Sequence, residues 1–246
     1  MMEKGAGMAA SISQRHLQAK LGKLGIRRLN PGMLRFTSAC LGLLLCCQSV
    51  LADGAVTGTV VLDTQRPPDV PAGYRPLTVK PIQPEDPTPA IVWVEKKGLS
   101  YPKPATQKPV TISQRGYQFR PAVLVVQTGT PVVFPNQDDE FHHVFSYSKP
   151  HPFDLGRFRQ GETPGARILE KPGLIKIYCE IHKHMRCRLL VLDSPWHAVT
   201  DAQGRFKITG IPAGDYEIKA LLPSEKQITS AITIRDGQTT TIQLSR

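Results

Sequence analysis

Short runs of alternating apolar and polar residues, separated by turn residues, dominate this sequence, and no long stretch repeats apolar residues at helical spacing. The 22 prolines and 20 glycines are also many for a helical protein, because proline lacks a backbone donor and glycine weakens a helix interior. Period-two alternation is typical of strands with one buried face. We therefore predict an all-β fold made of short strands and turns.

The predicted strands are spaced as in a two-sheet sandwich. A segment with eight prolines, residues 64–89, interrupts them and is predicted to be an extended loop. The strands predicted up to residue 169 are Ala55–Asp63, Ala90–Glu95, Val110–Ser113, Ala122–Gln127, Pro131–Phe134, Phe153–Phe158 and Ala166–Leu169.

Residues 33–52 have the three-part layout of a secretory signal peptide. Arg35 supplies a positive charge, and an apolar core runs from Ala39 to Cys47. This core is too short to span a bilayer, which needs about 20 residues. We therefore predict that residues 1–52 are a signal peptide and that the mature protein is periplasmic. An uncleaved membrane anchor is the alternative.

The positive charge is concentrated in the same N-terminal segment. The sequence has 31 Lys and Arg against 20 Asp and Glu, a formal net charge of +11. Residues 1–52 hold seven of the basic residues and one acidic residue, so residues 53–246 keep a net charge of +5. The basicity is thus a targeting feature and gives no reason to expect nucleic-acid binding. Met33 is an alternative start to Met1.

Four residues that bind soft metals are concentrated between two predicted strands. The segment reads Cys179-Glu-Ile-His182-Lys-His184-Met185. A thiolate, two imidazoles and a weak thioether are the ligands that hold copper in electron-transfer sites. The upstream pair His142-His143, which opens another predicted strand, offers a further imidazole.

The pattern F-x-N-x-D, then a histidine four residues on, and later C-x2-H-x2-M resembles the cupredoxin (plastocyanin-like) family over residues 55–193. This resemblance implies a Greek-key β-sandwich with one type 1 copper site that cycles between Cu(I) and Cu(II). It implies His142, Cys179 and His182 as equatorial ligands and Met185 as the axial ligand.

The site residues also have structural alternatives. Removal of residues 1–52 leaves two cysteines, Cys179 and Cys187, which would pair in a simple disulfide-bonded hairpin. Met185 would then be a core residue. We expect His143 to be a surface residue and His184 to face solvent at the edge of the copper, with ligation by His184 as an alternative.

Residues near the predicted ligands are candidates for supporting roles. Asn136 is expected to tie the two ligand-bearing loops together. Four aromatic residues would keep the surroundings dry or simply fill the core: Phe134, Phe141, Phe145 and Tyr178.

Residues 196–246 contain T-D-x-x-G-R-F and then G-I-P-x-G-x-Y, which resembles the carboxypeptidase regulatory-like module, a small prealbumin-like β-sandwich. The resemblance implies architecture rather than activity, because no peptidase zinc motif such as H-x-x-E occurs. About 50 residues bury little core alone, so this module is expected to pack on the copper domain. The predicted organisation is a signal peptide (1–52), a copper domain (53–193) and this module (194–246).

We expect a periplasmic type 1 copper protein, similar to methylamine-utilisation-type proteins, that exchanges single electrons with an unidentified periplasmic redox protein and is not an enzyme. One alternative is a non-redox binding protein for carbohydrate or protein, with a structural or vestigial metal site. Another is an enzyme in which copper has an open position, for which Glu180, His143 and His184 leave room. A multicopper oxidase is not expected, because no further His-x-His clusters occur.

Overall fold

The computed structural model describes residues 53–63, 88–103 and 108–245. The predicted signal peptide 1–52 and most of the predicted loop 64–89 lie outside these residues. The described part of the chain contains β-strands and no α-helix, so the predicted all-β class is confirmed. It accordingly contains no helix that is long and apolar enough to cross a membrane.

The described residues form seventeen strands. In chain order they are β1 (Gly54–Val60), β2 (Ile91–Glu95), β3 (Val110–Thr111), β4 (Ser113–Gln114), β5 (Phe119–Arg120), β6 (Val123–Gln127), β7 (Pro131–Val133), β8 (His142–Ser146), β9 (Phe153–Phe158), β10 (Arg167–Ile168), β11 (Gly173–Cys179), β12 (Arg186–Leu192), β13 (His197–Val199), β14 (Arg205–Ile211), β15 (Gly214–Leu221), β16 (Gln227–Ile234) and β17 (Thr239–Leu244). The strands β5 and β13 were not predicted from the sequence, because two or three residues are too few to show alternation.

The strands β3 to β12 form the first sandwich. Its larger sheet has the order β6-β12-β11-β8-β9, and its smaller sheet has the order β10-β7-β3. The β4-β5 hairpin joins the end of β7 through backbone hydrogen bonds of Gln114 with Pro135 and Gln137. Apolar residues of both sheets share one buried core with the hairpin, which contributes Phe119.

The remaining strands form a second sandwich, with sheets ordered β14-β1-β17 and β13-β2-β15-β16. Here the strand pairing differs from the predicted grouping of residues 53–193. β1 pairs with β14 and β17, and β2 pairs with β13 and β15. The physical reason is burial: Val56, Val92 and Val94 complete a core that the C-terminal strands alone could not enclose. The domain boundary at residue 194 stays a prediction.

The two sandwiches pack against each other through a third apolar cluster. Because successive strand residues point to opposite faces, β2 and β12 contribute to two cores each. Ile91 and Trp93 of β2 meet Leu190 and Leu192 of β12 in this cluster. Both strands read as near-continuous apolar runs, as expected for strands buried on both faces.

Arg188 links the two sandwiches through side-chain hydrogen bonds. Its guanidinium donates hydrogen bonds to the carbonyl oxygens of Pro89, at 2.8 Å, and Leu222, at 2.9 Å. Both carbonyls flank strands of the second sandwich, whereas Arg188 belongs to β12 of the first. The contact therefore satisfies backbone groups that two packed sheets leave without a strand partner.

We predict that Arg188→Ala lowers the free energy of unfolding by about 1–3 kcal/mol, because it removes a charged donor from two carbonyls at the junction. The partly buried Pro89 carbonyl loses its guanidinium partner, whereas the Leu222 carbonyl still accepts from the Glu225 amide. Arg186→Ala is the matched control, since Arg186 is exposed on the same strand and surface changes cost less than about 0.5 kcal/mol. Urea unfolding followed by tryptophan fluorescence measures both. Equal losses in the two variants would contradict the role given to Arg188.

Candidate metal centre

Strand pairing brings the predicted ligands together from distant parts of the chain. His142 begins β8, and Cys179 ends β11. These strands are antiparallel neighbours with Cys179 opposite Val144, so the start of one meets the end of the other. His182 and Met185 lie in the loop that leads from β11 to β12.

Three ligand atoms form a compact triangle. His142 Nδ1 lies 3.1 Å from His182 Nδ1, and each nitrogen lies 3.8 Å from Cys179 Sγ. The three residues are 0%, 8% and 3% exposed, respectively. The structure thus gathers three of the four predicted ligands at one buried point.

The size and chemistry of this triangle fit a metal ion. Ligand atoms that each lie about 2.0–2.3 Å from one ion, the usual metal–nitrogen and metal–sulfur distances, form a triangle of this size. Two imidazole nitrogens and a sulfur directed at one point can each present a lone pair to a positive charge placed between them. Two imidazoles with one thiolate are the trigonal set that suits copper.

A buried carboxylate fixes the orientation of His142. Asp138 Oδ2 lies 2.9 Å from His142 Nε2, and a carboxylate can only accept. Nε2 therefore carries the proton and leaves the Nδ1 lone pair directed at the triangle. Asp138 also accepts hydrogen bonds from the backbone amides of Gly116, at 2.5 Å, and Tyr117, at 2.9 Å.

Burial keeps both ligand imidazoles neutral, which metal ligation requires. Burial lowers the pKa of His142, although the hydrogen bond and charge of Asp138 oppose this shift. Burial also lowers the pKa of His182 to about 4, helped by repulsion from His142 and His184. Both rings thus have free lone pairs at neutral pH.

The sulfur of Cys179 accepts two backbone hydrogen bonds. The amide of His143 lies 3.5 Å from Sγ, and the amide of His182 lies 3.4 Å from it. Amide donors stabilise negative charge on a thiolate and withdraw electron density from it, which tunes a metal bound there.

Met185 is 1% exposed and belongs to the same apolar cluster as Cys179. Its backbone amide donates to the carbonyl of His182, at 2.9 Å, which closes the ligand loop into a tight turn. Its role as the axial ligand stays a prediction, as does the whole assignment of ligands.

Both described cysteines are free, so the disulfide alternative does not hold in this structure. Cys187 lies opposite Ile177 in the β11-β12 pairing, not opposite Cys179. Its thiol is buried in the first core, and burial raises its pKa to about 12. The register of the hairpin therefore separates the two thiols.

His143 is partly exposed and pairs with two exposed carboxylates, whereas His184 does not face solvent as expected. The ring nitrogens of His143 lie 2.7 Å from Glu180 and 2.5 Å from Asp154, and its side chain is 16% exposed. His184 is half-buried, and its Nε2 lies 2.9 Å from the carbonyl oxygen of Tyr117. Neither ring belongs to the ligand triangle.

Asn136 also differs from its expected role of joining the two ligand loops. Its side-chain amide donates to the carbonyls of Glu140 and Phe158, and its side-chain oxygen accepts from the amide of Asp138. Asn136 therefore fixes the turn before β8 against β9, and through that turn it places Asp138.

Two residues at the centre were not predicted from the sequence. Asp138 was part of the family pattern but received no role, although its spacing of four residues from His142 was a usable signal. Tyr117 gave no signal, because it comes from a hairpin distant in sequence. Its ring centroid lies 5.2 Å from that of His182 and 6.0 Å from that of His142.

Comparisons with known proteins find similar solved structures only: no family model and no curated protein matches the chain. A Cu-containing nitrite reductase from Thermus scotoductus SA-01 is 29% identical over 38% of this chain and 24% of its own, with a TM-score of 0.34. A purple cupredoxin from Nitrosopumilus maritimus is 21% identical over 35% of this chain and 99% of its own, with a TM-score of 0.31. A mutant of amicyanin in its reduced Cu(I) form is 14% identical over 35% of this chain and 85% of its own, with a TM-score of 0.32.

This chain thus spans about a quarter of the nitrite reductase chain that it matches. All three TM-scores lie below 0.5, so these likenesses carry no argument about function. The site itself provides that argument.

We predict that Asp138→Ala weakens Cu(II) binding by about 10- to 100-fold, because the His142 ring loses the acceptor that orients it. Glu140→Ala is the matched control, since Glu140 is an exposed carboxylate of the same turn. Competition titration against a chelator of known affinity measures both variants. A similar affinity in the two would show that the carboxylate of Asp138 does not orient the ring.

Proposed function

We propose that this chain is a type 1 copper protein that carries single electrons in the periplasm. The observation that carries the proposal is the buried triangle of His142 Nδ1, Cys179 Sγ and His182 Nδ1. A His2Cys set with a weak thioether nearby is typical of copper electron-transfer sites. Bound copper would supply the Cu(I)/Cu(II) couple.

The protein's part in this function is to hold the ligands still. His142 and Cys179 lie on hydrogen-bonded strands, and the His182 loop is closed by its own backbone contact with Met185. Asp138 fixes one imidazole, and two amides fix the sulfur. Ligands held from several sides move little when the charge between them changes, which favours rapid electron transfer.

Burial of the ligands supports electron transfer rather than catalysis on a bound substrate. No ligand atom of the triangle belongs to a residue that is more than 8% exposed. An enzyme that binds its substrate at a metal needs an open coordination position. An electron needs no such opening, and we therefore propose that the chain is not an enzyme.

The proposed location and partner depend on the sequence. The signal-like segment 33–52 supports export to the periplasm. A soluble electron carrier there requires a donor and an acceptor, so we propose an unidentified periplasmic redox protein as the partner. The net charge of residues 53–246 gives no support for a nucleic-acid partner.

The decisive experiment is visible absorption and EPR spectroscopy after addition of Cu(II). We expect an intense thiolate-to-copper band and narrow copper hyperfine splitting in the unaltered protein. Cys179→Ser removes both, because the band requires a thiolate ligand. Cys187→Ala is the matched control and keeps both, since Cys187 lies opposite Ile177 in the strand pairing and does not belong to the triangle.

A colourless protein after Cu(II) addition would contradict the type 1 proposal. A band that Cys179→Ser keeps and Cys187→Ala loses would show that Cys187, not Cys179, supplies the thiolate. If the protein is colourless, the remaining candidate is a β-sandwich binding protein whose metal site has no redox role.

We further predict that Met185→Leu keeps the thiolate band and raises the reduction potential. The axial ligand tunes the potential of such sites. Replacing an axial donor by an apolar side chain would leave the doubly charged Cu(II) with one donor fewer and so favour the reduced ion. The swap nearly conserves volume and should cost less than about 1.5 kcal/mol of stability. Spectroelectrochemical titration gives the potential, and a value equal to that of the unaltered protein would exclude Met185 as an axial ligand.

A further inference from the structure

The hairpin beside the metal centre contains a tyrosine in a conformation that suits glycine. β4 and β5 are joined by a two-residue turn at Gly116 and Tyr117, with the Arg115 amide donating to the Gln118 carbonyl. The φ angles of the two turn residues are 67° and 59°. A turn with both central residues at positive φ strongly prefers glycine at the second position. A bulky side chain there is strained.

Contacts on both sides hold Tyr117 in this conformation. Its backbone amide donates to Asp138, the carboxylate that also binds His142. Its carbonyl oxygen accepts a hydrogen bond from Nε2 of His184, which lies between the predicted ligands His182 and Met185. The turn is therefore hydrogen-bonded to the segment that precedes His142 and to the loop that contains His182.

The ring of Tyr117 covers both ligand histidines. It meets His182 and His142 edge to face, with interplanar angles of 83° and 75°. Its hydroxyl donates to Asp139, at 3.2 Å. His182 is the most exposed residue of the triangle at 8%, so this ring lies against the ligand that is nearest to solvent.

We infer that Tyr117 is a positioning residue that closes the metal centre against small external ligands and so restricts it to electron transfer. This inference rests on the proposed copper site. A glycine would fit the turn with less strain, and the side chain that stands there instead packs on both ligand imidazoles. The packing of the Tyr117 ring thus offsets the cost of its strained backbone conformation. Such exceptions to local sequence preference are typical of functional sites.

The test compares Tyr117→Gly with Tyr117→Phe in the full chain. Glycine suits a φ of 59°, so Tyr117→Gly keeps the turn and removes the ring. Phenylalanine keeps the ring and loses only the hydrogen bond to Asp139. Tyr147→Ala removes a tyrosine that is 83% exposed and serves as the control for loss of an aromatic side chain.

The first readout is azide titration of the Cu(II)-loaded protein, followed by EPR and visible absorption. We expect azide to change the spectra of Tyr117→Gly and to leave Tyr117→Phe, Tyr147→Ala and the unaltered protein unchanged. The second readout uses metal-free protein and maps the alkylation of Cys179 by iodoacetamide through peptide mass spectrometry. Alkylation should be about tenfold faster in Tyr117→Gly, equivalent to about 1.4 kcal/mol less protection.

Alkylation of Cys179 at the same rate in Tyr117→Gly and the unaltered protein overturns the inference, as does an azide response shared by all four proteins. A purely structural role for the ring would lower the stability of Tyr117→Gly without exposing the site, and that result also overturns it. Absence of a type 1 spectrum in the unaltered protein contradicts the proposed function instead, and the alkylation rates then still test whether Tyr117 restricts access to the triangle that contains Cys179.

Discussion

The metal centre depends on the hydrogen bonds that the carboxylate of Asp138 accepts. Asp138 is 7% exposed and gathers three donors, which are the Nε2 of His142 and the amides of Gly116 and Tyr117. This buried carboxylate thereby selects the tautomer of His142 that is protonated at Nε2. It also fixes the β4-β5 hairpin, which comes from another part of the chain. A buried carboxylate is stable only when such donors compensate it, so the ligand and the hairpin depend on each other.

The second sandwich contributes rigidity at a distance. It covers the face of β12 that carries Leu190 and Leu192, and β12 pairs along its length with β11, the strand that ends at Cys179. A sheet open to water on one face would flex more freely than one packed on both faces. Packing between the sandwiches thus limits movement of the sulfur without any contact to it.

Local patterns in the sequence predicted most of the strands, because alternation and turn residues act over a few positions. The loop with Cys179, His182 and Met185 was visible for the same reason, as all three lie within seven residues. The pairing of β1 and β2 was not predictable this way, since their partners lie more than 100 residues away and any exposed sheet edge would match their pattern. Tyr117 was missed because its effect depends on a backbone conformation and on packing between elements that alternation does not encode.

The register of the β11-β12 hairpin has a consequence for how this protein matures. Before the strands pair, Cys179 and Cys187 are two accessible thiols eight positions apart in a flexible chain, a separation at which a disulfide closes readily in an oxidising environment. Pairing sets Cys187 opposite Ile177 and buries it in the first core, where burial raises its pKa to about 12. Under the proposed export, chains of this sequence would face a kinetic competition between strand pairing and thiol oxidation, and only the chains that fold first would keep Cys179 as a free thiol for the proposed metal site.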